Sequence, residues 1–310
     1  MRIFLAGATG AIGRPLVRLL TADGHHVTGM TRSQAKVESL RGAGAEPVLA
    51  DALDAAAVSQ AVVQAQPDVV IHQLTAIPER LDGRKIVRDF ALTDRLRTEG
   101  TRILLDAARA AGVERMIAQS IAFIYEPGPP GTIHVESDPL IANPPTQFKR
   151  TAAAAAELER AVLEFEGQVL RYGYFYGPST AFSRTGSWGQ EIARRRLPIV
   201  GGGTGVWSFI HIEDAARATV AALGSTTPGA YNVVDDEPAA AAEWIPALAD
   251  ALGAPRPMRV PAWLARPIAG AYGVRTMTQA QGASNVLAKR ELGWQPSYPS
   301  WREGFRHGLG

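Results

Sequence analysis

The hydrophobic positions change period along the chain. Ile3, Phe4, Leu5 and Ala6 form a short apolar run; after a glycine-spaced break, Ile12, Leu16, Leu19 and Leu20 recur at the spacing of one helix face. The pattern predicts strand, tight turn, helix. A turn at Asp23-Gly24-His25 then precedes a second strand over residues 26–31, a helix suits residues 33–43, and residues 46–50 read as a third strand. The run over residues 68–75 is too apolar to face water on either side, as a central parallel strand should be, and its far end, with Leu74 and Thr75, points at the crevice of the sheet. Leu92, Leu96, Ile103, Leu104, Ala107 and Ala108 mark a helix over residues 91–111, interrupted at Gly100-Thr101, and residues 114–120 start a fifth strand. Five such alternations in the first 120 residues predict an α/β fold, a Rossmann-like doubly wound parallel sheet.

The later pattern is shorter in period. Helices suit residues 150–165, 187–196, 213–223 and 240–252, a strand suits residues 231–234, and helices at residues 262–273, 288–292 and 301–309 pack over a pocket. A sixth strand ends at Tyr172, and Tyr174 and Tyr176 share its side if that strand continues. These elements predict a smaller α/β C-terminal substrate lobe. Residues 1–178, with returning segments from 206–235, form the main sheet domain, and residues 179–310 mainly the smaller lobe.

Composition narrows the chemistry. The 310 residues carry 32 basic and 30 acidic side chains, a net charge of +2 that leaves no electrostatic footprint for nucleic acid. Cysteine is absent, which excludes disulfides, thiolate metal sites and a cysteine nucleophile. No apolar stretch reaches membrane-spanning length and the chain opens directly into its first strand, so the expected location is the cytoplasm and no membrane partner is expected. His25 and His26 sit in a polar turn without a third ligand at metal spacing, and His72 reads as a packed strand histidine; no metal site is expected.

The turn Gly7-Ala8-Thr9-Gly10-Ala11-Ile12-Gly13 is the chemical focus. Gly7 lets the chain leave the strand sharply, Gly10 lets main-chain amides approach a pyrophosphate, and Gly13 lets helix and strand pack closely. Phosphate would sit over the positive end of the helix. Arg32, just past the second strand, suits a ribose 2′-phosphate where an acidic residue would suit a hydroxyl, which favours NADP and leaves NAD open. Asp51 and Ala52 follow the third strand, where Asp51 reaches an adenine edge or, equally, Asp51 or Asp54 caps the next helix.

These residues, with Glu99-Gly100-Thr101, Gln119-Ser120-Ile121-Ala122-Phe123-Ile124-Tyr125, Leu170-Arg171-Tyr172-Gly173 and Phe209-Ile210-His211, resemble the extended and atypical short-chain dehydrogenase/reductases, the epimerase/dehydratase group. The resemblance covers nearly the full length. It implies cofactor contacts from Gln119 and from Tyr172 against the nicotinamide. It also implies a serine, a tyrosine and a lysine as catalysts, and here the sequence departs. Counting back four from Tyr125 lands on Ile121, with Ser120 one place earlier. The tyrosine and lysine places fall on Lys149 and Ala153, and the family asparagine falls on Arg97. Ser120, Tyr125 and Lys149 remain the candidates, Lys149 because a lysine donates the proton in isoflavone-reductase-like relatives; Tyr174 or Tyr176 is an alternative hydroxyl.

The resemblance then implies an NADPH-dependent reductase of a small, largely apolar carbonyl or imine compound. A non-catalytic dinucleotide sensor of the NmrA type is the alternative, and a nucleotide-sugar epimerase the third reading. Arg194, Arg195 and Arg196 either hold an anionic substrate or end a solvated helix. His211 either contacts substrate or packs at the lobe junction, and Trp188, Trp207 and Trp263 either wall the pocket or pack. The expected partner is a small-molecule substrate, with a homodimer left open.

Overall fold

The computed structural model describes residues 1–78 and 85–310. Its first half alternates β1 (Arg2–Ala6), α1 (Gly13–Ala22), β2 (His26–Thr31), α2 (Val37–Gly42), β3 (Glu46–Leu49), α3 (Ala55–Ala65), β4 (Val69–His72), α4 (Ile86–Arg95), α5 (Thr101–Ala110) and β5 (Met116–Ile121). There follow β6 (Ile133–His134), α6 (Lys149–Glu164), β7 (Gln168–Tyr172), β8 (Tyr174–Tyr176), α7 (Ser187–Ala193), β9 (Ile199–Val200), β10 (Val206–Trp207), β11 (Phe209–His211), α8 (Ile212–Leu223) and β12 (Gly229–Val233). The chain ends through β13 (Ala239–Ala240), α9 (Ala241–Ala251), β14 (Arg259–Val260), α10 (Ala262–Gln279), β15 (Gly282–Ala283), α11 (Val286–Leu292) and α12 (Trp301–His307).

Seven strands form one sheet in the order β12-β7-β5-β4-β1-β2-β3, every neighbour parallel. The chain winds outward from β1 to β3, crosses back to β4, and winds the other way. This is the doubly wound arrangement, with its switch point between β1 and β4. Alternation along β1 sends Ile3 and Leu5 to one face and Phe4 and Ala6 to the other. Both faces are therefore apolar. One is covered by α1, α8 and α11, the other by α3, α5 and α6. A third core, rich in aromatic residues, fills the smaller lobe around Phe182, Trp207, Phe209, Trp244 and Trp301.

Several boundaries differ from the sequence pattern for local reasons. The helix over residues 91–111 begins at Ile86, and Gly100 does not interrupt it: the chain passes through a single π turn over Leu96–Gly100. The helix expected over residues 262–273 runs past Gly273 to Gln279, with its bend at Gly270, whose φ is +73°. β7 stops at Tyr172 because Gly173 is pressed against the next segment; a Cβ there would lie 2.5 Å from the Ser208 carbonyl oxygen. Tyr174 and Tyr176 therefore do not continue the side of Tyr172. They belong to a separate pairing of β8 with β11 and to the aromatic core of the lobe.

Candidate functional site

The glycine turn lies at the carboxyl end of β1, beside the switch point, where open parallel sheets receive ligands. Gly7 has φ +93°, and a Cβ there would meet the Gln73 carbonyl oxygen at 2.6 Å. At Gly13 a Cβ would meet the Gly7 carbonyl oxygen at 2.2 Å. Gly10 differs. Its exposed Cα has one close neighbour, the Gly7 carbonyl oxygen at 3.3 Å from an added Cβ. Two glycines close the turn, and the middle one keeps open a cradle that a side chain would fill. The N-cap of α1, Ile12, offers no side-chain acceptor, so the first amides are left for an anion.

Around this cradle the strand ends bring together most of the expected cofactor residues. Thr9 Oγ1 lies 3.4 Å from Thr31 Oγ1, and Ala11 is half-buried beside it. Ile12 and Ala52 have buried side chains and present only main chain. Arg32 is exposed just beyond β2 and makes no hydrogen bond or ion pair among the described residues. Asp54 is the cap of α3, accepting from the Ala57 amide at 3.1 Å; Asp51 accepts from the Leu53 amide at 3.0 Å and stays exposed past β3. Leu74 and Thr75 are half-buried past β4, and Gln119 is buried in β5 with its side-chain oxygen unpartnered. These residues fit a nicotinamide dinucleotide laid across the carboxyl ends of the strands.

The catalytic candidates are placed otherwise. Ser120 is fully buried and donates to Glu159 Oε1 at 2.5 Å, and Glu159 pairs with Arg171 at 2.7 Å. Arg171 donates in turn to the Tyr125 hydroxyl at 2.8 Å, which donates to Asn232 Oδ1 at 2.6 Å. Ser120 and Tyr125 thus belong to one buried structural network, and burial pushes the Tyr125 hydroxyl up to about 12. Ile121, at the family's serine position, packs against Phe148 and α6. Tyr172 is fully buried, its hydroxyl held between Thr219 Oγ1 at 2.7 Å and Gln73 Nε2 at 3.2 Å, so its side chain packs inside the fold instead of standing exposed at the crevice. Lys149 and Ala153, one helical turn apart, are exposed on α6. Arg97 is buried, its Nη1 unpartnered, where the family has asparagine.

Next to these strand ends lies a small cavity of about 80 Å³. Its walls are stacked ring pairs: Phe123 on Tyr174 (4.5 Å, 9°), Tyr125 on His134 (4.7 Å, 12°) and Phe148 on Tyr272 (4.9 Å, 17°). They come from the segments after β5 and before α6, and from β6, β8 and α10. His134 Nδ1 faces Asp138 Oδ2 at 2.9 Å and its Nε2 faces Gln281 Oε1 at 3.1 Å. Arg275, Thr276 and Gln279 of α10 complete one side.

Sequence reasoning missed this wall because α10 was expected to end before Arg275, and no periodicity marks His134. Trp207 is buried in the lobe core behind Tyr174, Trp188 packs on Phe182, and Trp263 is 76% exposed, so none of them is the wall. Arg194, Arg195 and Arg196 are exposed beyond α7 and do not line the cavity. His211 accepts from the Glu213 amide and faces the Gly308 carbonyl at 3.0 Å, a capping role.

Comparison with known proteins agrees with this geometry. The chain is 45% identical over 311 residues to a 3-diazoavenalumate denitrifying reductase of a Streptomyces species, covering 98% of this chain and 99% of the relative. It is 27% identical over 245 residues to a 4-hydroxy-2-methyl-3-oxo-4-farnesyl-3,4-dihydroquinoline-1-oxide ketoreductase of Stigmatella aurantiaca, covering 77% and 69%. Among solved structures, a Thermus thermophilus UDP-glucose 4-epimerase in complex with NAD superposes with a TM-score of 0.77 at 25% identity, covering 100% and 98%. The profile of the NAD dependent epimerase/dehydratase family matches residues 3–233. With the glycine cradle, the switch point and this match together, the chain belongs to the NAD dependent epimerase/dehydratase family.

Proposed function

We propose that this protein is a reductase that uses NADPH to replace the dinitrogen of a planar aromatic diazonium compound with hydrogen. The observation that carries this reading is that the hydroxyls of Ser120, Tyr125 and Tyr172 are all committed to buried bonds while the adjoining cavity is walled by stacked rings. Reducing a carbonyl or imine leaves charge on oxygen or nitrogen that needs a proton as the hydride arrives. An arenediazonium needs none: the C–H bond forms, the C–N bond breaks, the two charges cancel and dinitrogen leaves. The cofactor supplies the hydride when bound.

The chain's own part is positioning. Gly10 and the amides before α1 hold the diphosphate, Arg32 the 2′-phosphate and Asp51 the adenine edge, while the ring pairs grip an aromatic plane and face a cation with their π clouds. Residues 1–178 with 206–235 serve the cofactor and residues 179–310 mainly the substrate. A relative whose name describes nitrogen removal from a diazo compound supports the reading.

A second reading rests on Lys149, exposed and with no side-chain hydrogen bond among the described residues, as proton donor to a carbonyl; the ketoreductase relative favours it. NADPH consumption with an arenediazonium and with the ketone of the same skeleton separates the two. The diazonium is consumed and Lys149→Met leaves that rate within about twofold, whereas a lost general acid costs about a hundredfold or more. Turnover of the ketone alone, abolished in K149M, contradicts the first reading. Tight NADPH binding without turnover of either points to a dinucleotide sensor.

A further inference from the structure

We propose that Arg275 is the anion anchor of the aromatic cavity, selecting substrates that carry a carboxylate and fixing which end of them reaches the cofactor. Arg275 stands on α10, in the turn after Tyr272, and lines the cavity on the lobe side. It makes no hydrogen bond or ion pair among the described residues, whereas Arg18, Arg41, Arg95, Arg160 and Arg302, all at the surface, each hold a carboxylate. A guanidinium beside apolar rings, with no acidic side chain among the described residues that line the same cavity, is a donor set awaiting its acceptor.

Two neighbouring polar groups are already engaged. The Thr276 hydroxyl donates back to the Tyr272 carbonyl at 2.9 Å, and Asp138, behind the wall, already receives His134 and the Val135 amide. A carboxylate matches the planar fork of arginine in a bidentate pair, and the stacked rings require that it be carried on a flat aromatic body. The same charge sets direction: the guanidinium attracts the acid end and repels a cationic end. A substrate with both is therefore held with its diazonium pointing away from α10, toward the strand ends where the cofactor residues lie. The reacting group in this statement rests on the proposed function; the anchoring does not.

Binding of unreactive probes tests the anchor independently of turnover. Benzoate and cinnamate, with benzamide and cinnamamide as neutral counterparts, are titrated by calorimetry into the NADPH-loaded protein, wild type and Arg275→Gln. The longer acid is expected to bind, its amide about tenfold to a hundredfold more weakly, and R275Q to lose the preference for acid over amide, with R275K retaining part of it. Equal affinity of acid and amide for the wild type overturns the anchor whether or not the variants fold, as does failure of cinnamate to bind, or an unchanged cinnamate affinity in folded R275Q. If cinnamate binds through Arg275 and no diazonium is reduced, the reductase reading fails alone. If diazonium turnover is indifferent to the acid group and to R275Q, the anchor fails alone.

Discussion

An added methyl meets the Gly7 carbonyl oxygen at 2.2 Å from Gly13 and the Gln73 carbonyl oxygen at 2.6 Å from Gly7, but from Gly10 it has a single neighbour at 3.3 Å. The first two are demands of the fold and the third a demand of the ligand. Gly13→Ala is therefore expected to lower stability by about 1–3 kcal/mol through overpacking, read as a fall in melting temperature. Gly10→Val should melt close to the wild type and lose NADPH binding; unchanged NADPH titration in G10V contradicts the cradle. Arg32→Asp should weaken NADPH much more than NADH, and equal losses would remove the reason for preferring the phosphorylated form. The glycine roles were legible in the sequence because a turn's steric needs are local. The hydroxyl roles were not: the partner of Ser120 is 39 residues away and that of Tyr125 is 107, and neither leaves a trace in local spacing.

At the scale of elements, α6 is fastened to β7 by the Glu159–Arg171 pair, whose side chains are 2% and 5% exposed. Removing one charge strands the other in a dry interior. Glu159→Ala is expected to cost about 3–5 kcal/mol in chemical denaturation, whereas Ser120→Ala, which removes one donor from a carboxylate that keeps its arginine, should cost about 1–2 kcal/mol. Similar costs for both would mean that the pair is not the fastening. The strands of the sheet were legible because each is a short apolar run buried on two faces. Helix interruptions were misread at Gly100 and Gly273, since the penalty of about 1 kcal/mol for a helical glycine is easily outweighed by packing, as around Leu96 and Leu104. That misreading hid Arg275. The break at Gly173 was equally invisible, because it depends on Ser208 from a distant segment.

For the whole molecule, pH reports on the layer beneath the crevice. His72 is buried in β4 with Nε2 3.1 Å from Thr101 Oγ1, and its Nδ1 accepts from the Leu74 amide. Burial lowers its pKa from 6.5 to about 4. The folded value lies below the unfolded one, so the neutral imidazole contributes stability above about pH 6.5 that is lost as the pH falls toward 4. The loss amounts to about 3 kcal/mol. His72→Gln should flatten the acid limb of the stability curve between those values, and an unaltered limb would place the effect elsewhere. The doubly wound architecture was legible from alternation alone, and the cavity was not, since it exists only where the segment after β5, the approach to α6, β6, β8 and α10 meet.

The most direct measurement is the heavy-nitrogen gas released, counted by mass spectrometry, when the protein and NADPH are given an arenediazonium labelled in both nitrogens. The commitment of the Ser120, Tyr125 and Tyr172 hydroxyls to buried bonds predicts one molecule of dinitrogen for each NADPH oxidised, with the ring carbon ending as C–H. NADPH oxidised without gas, or gas released at the same rate without NADPH, would contradict it.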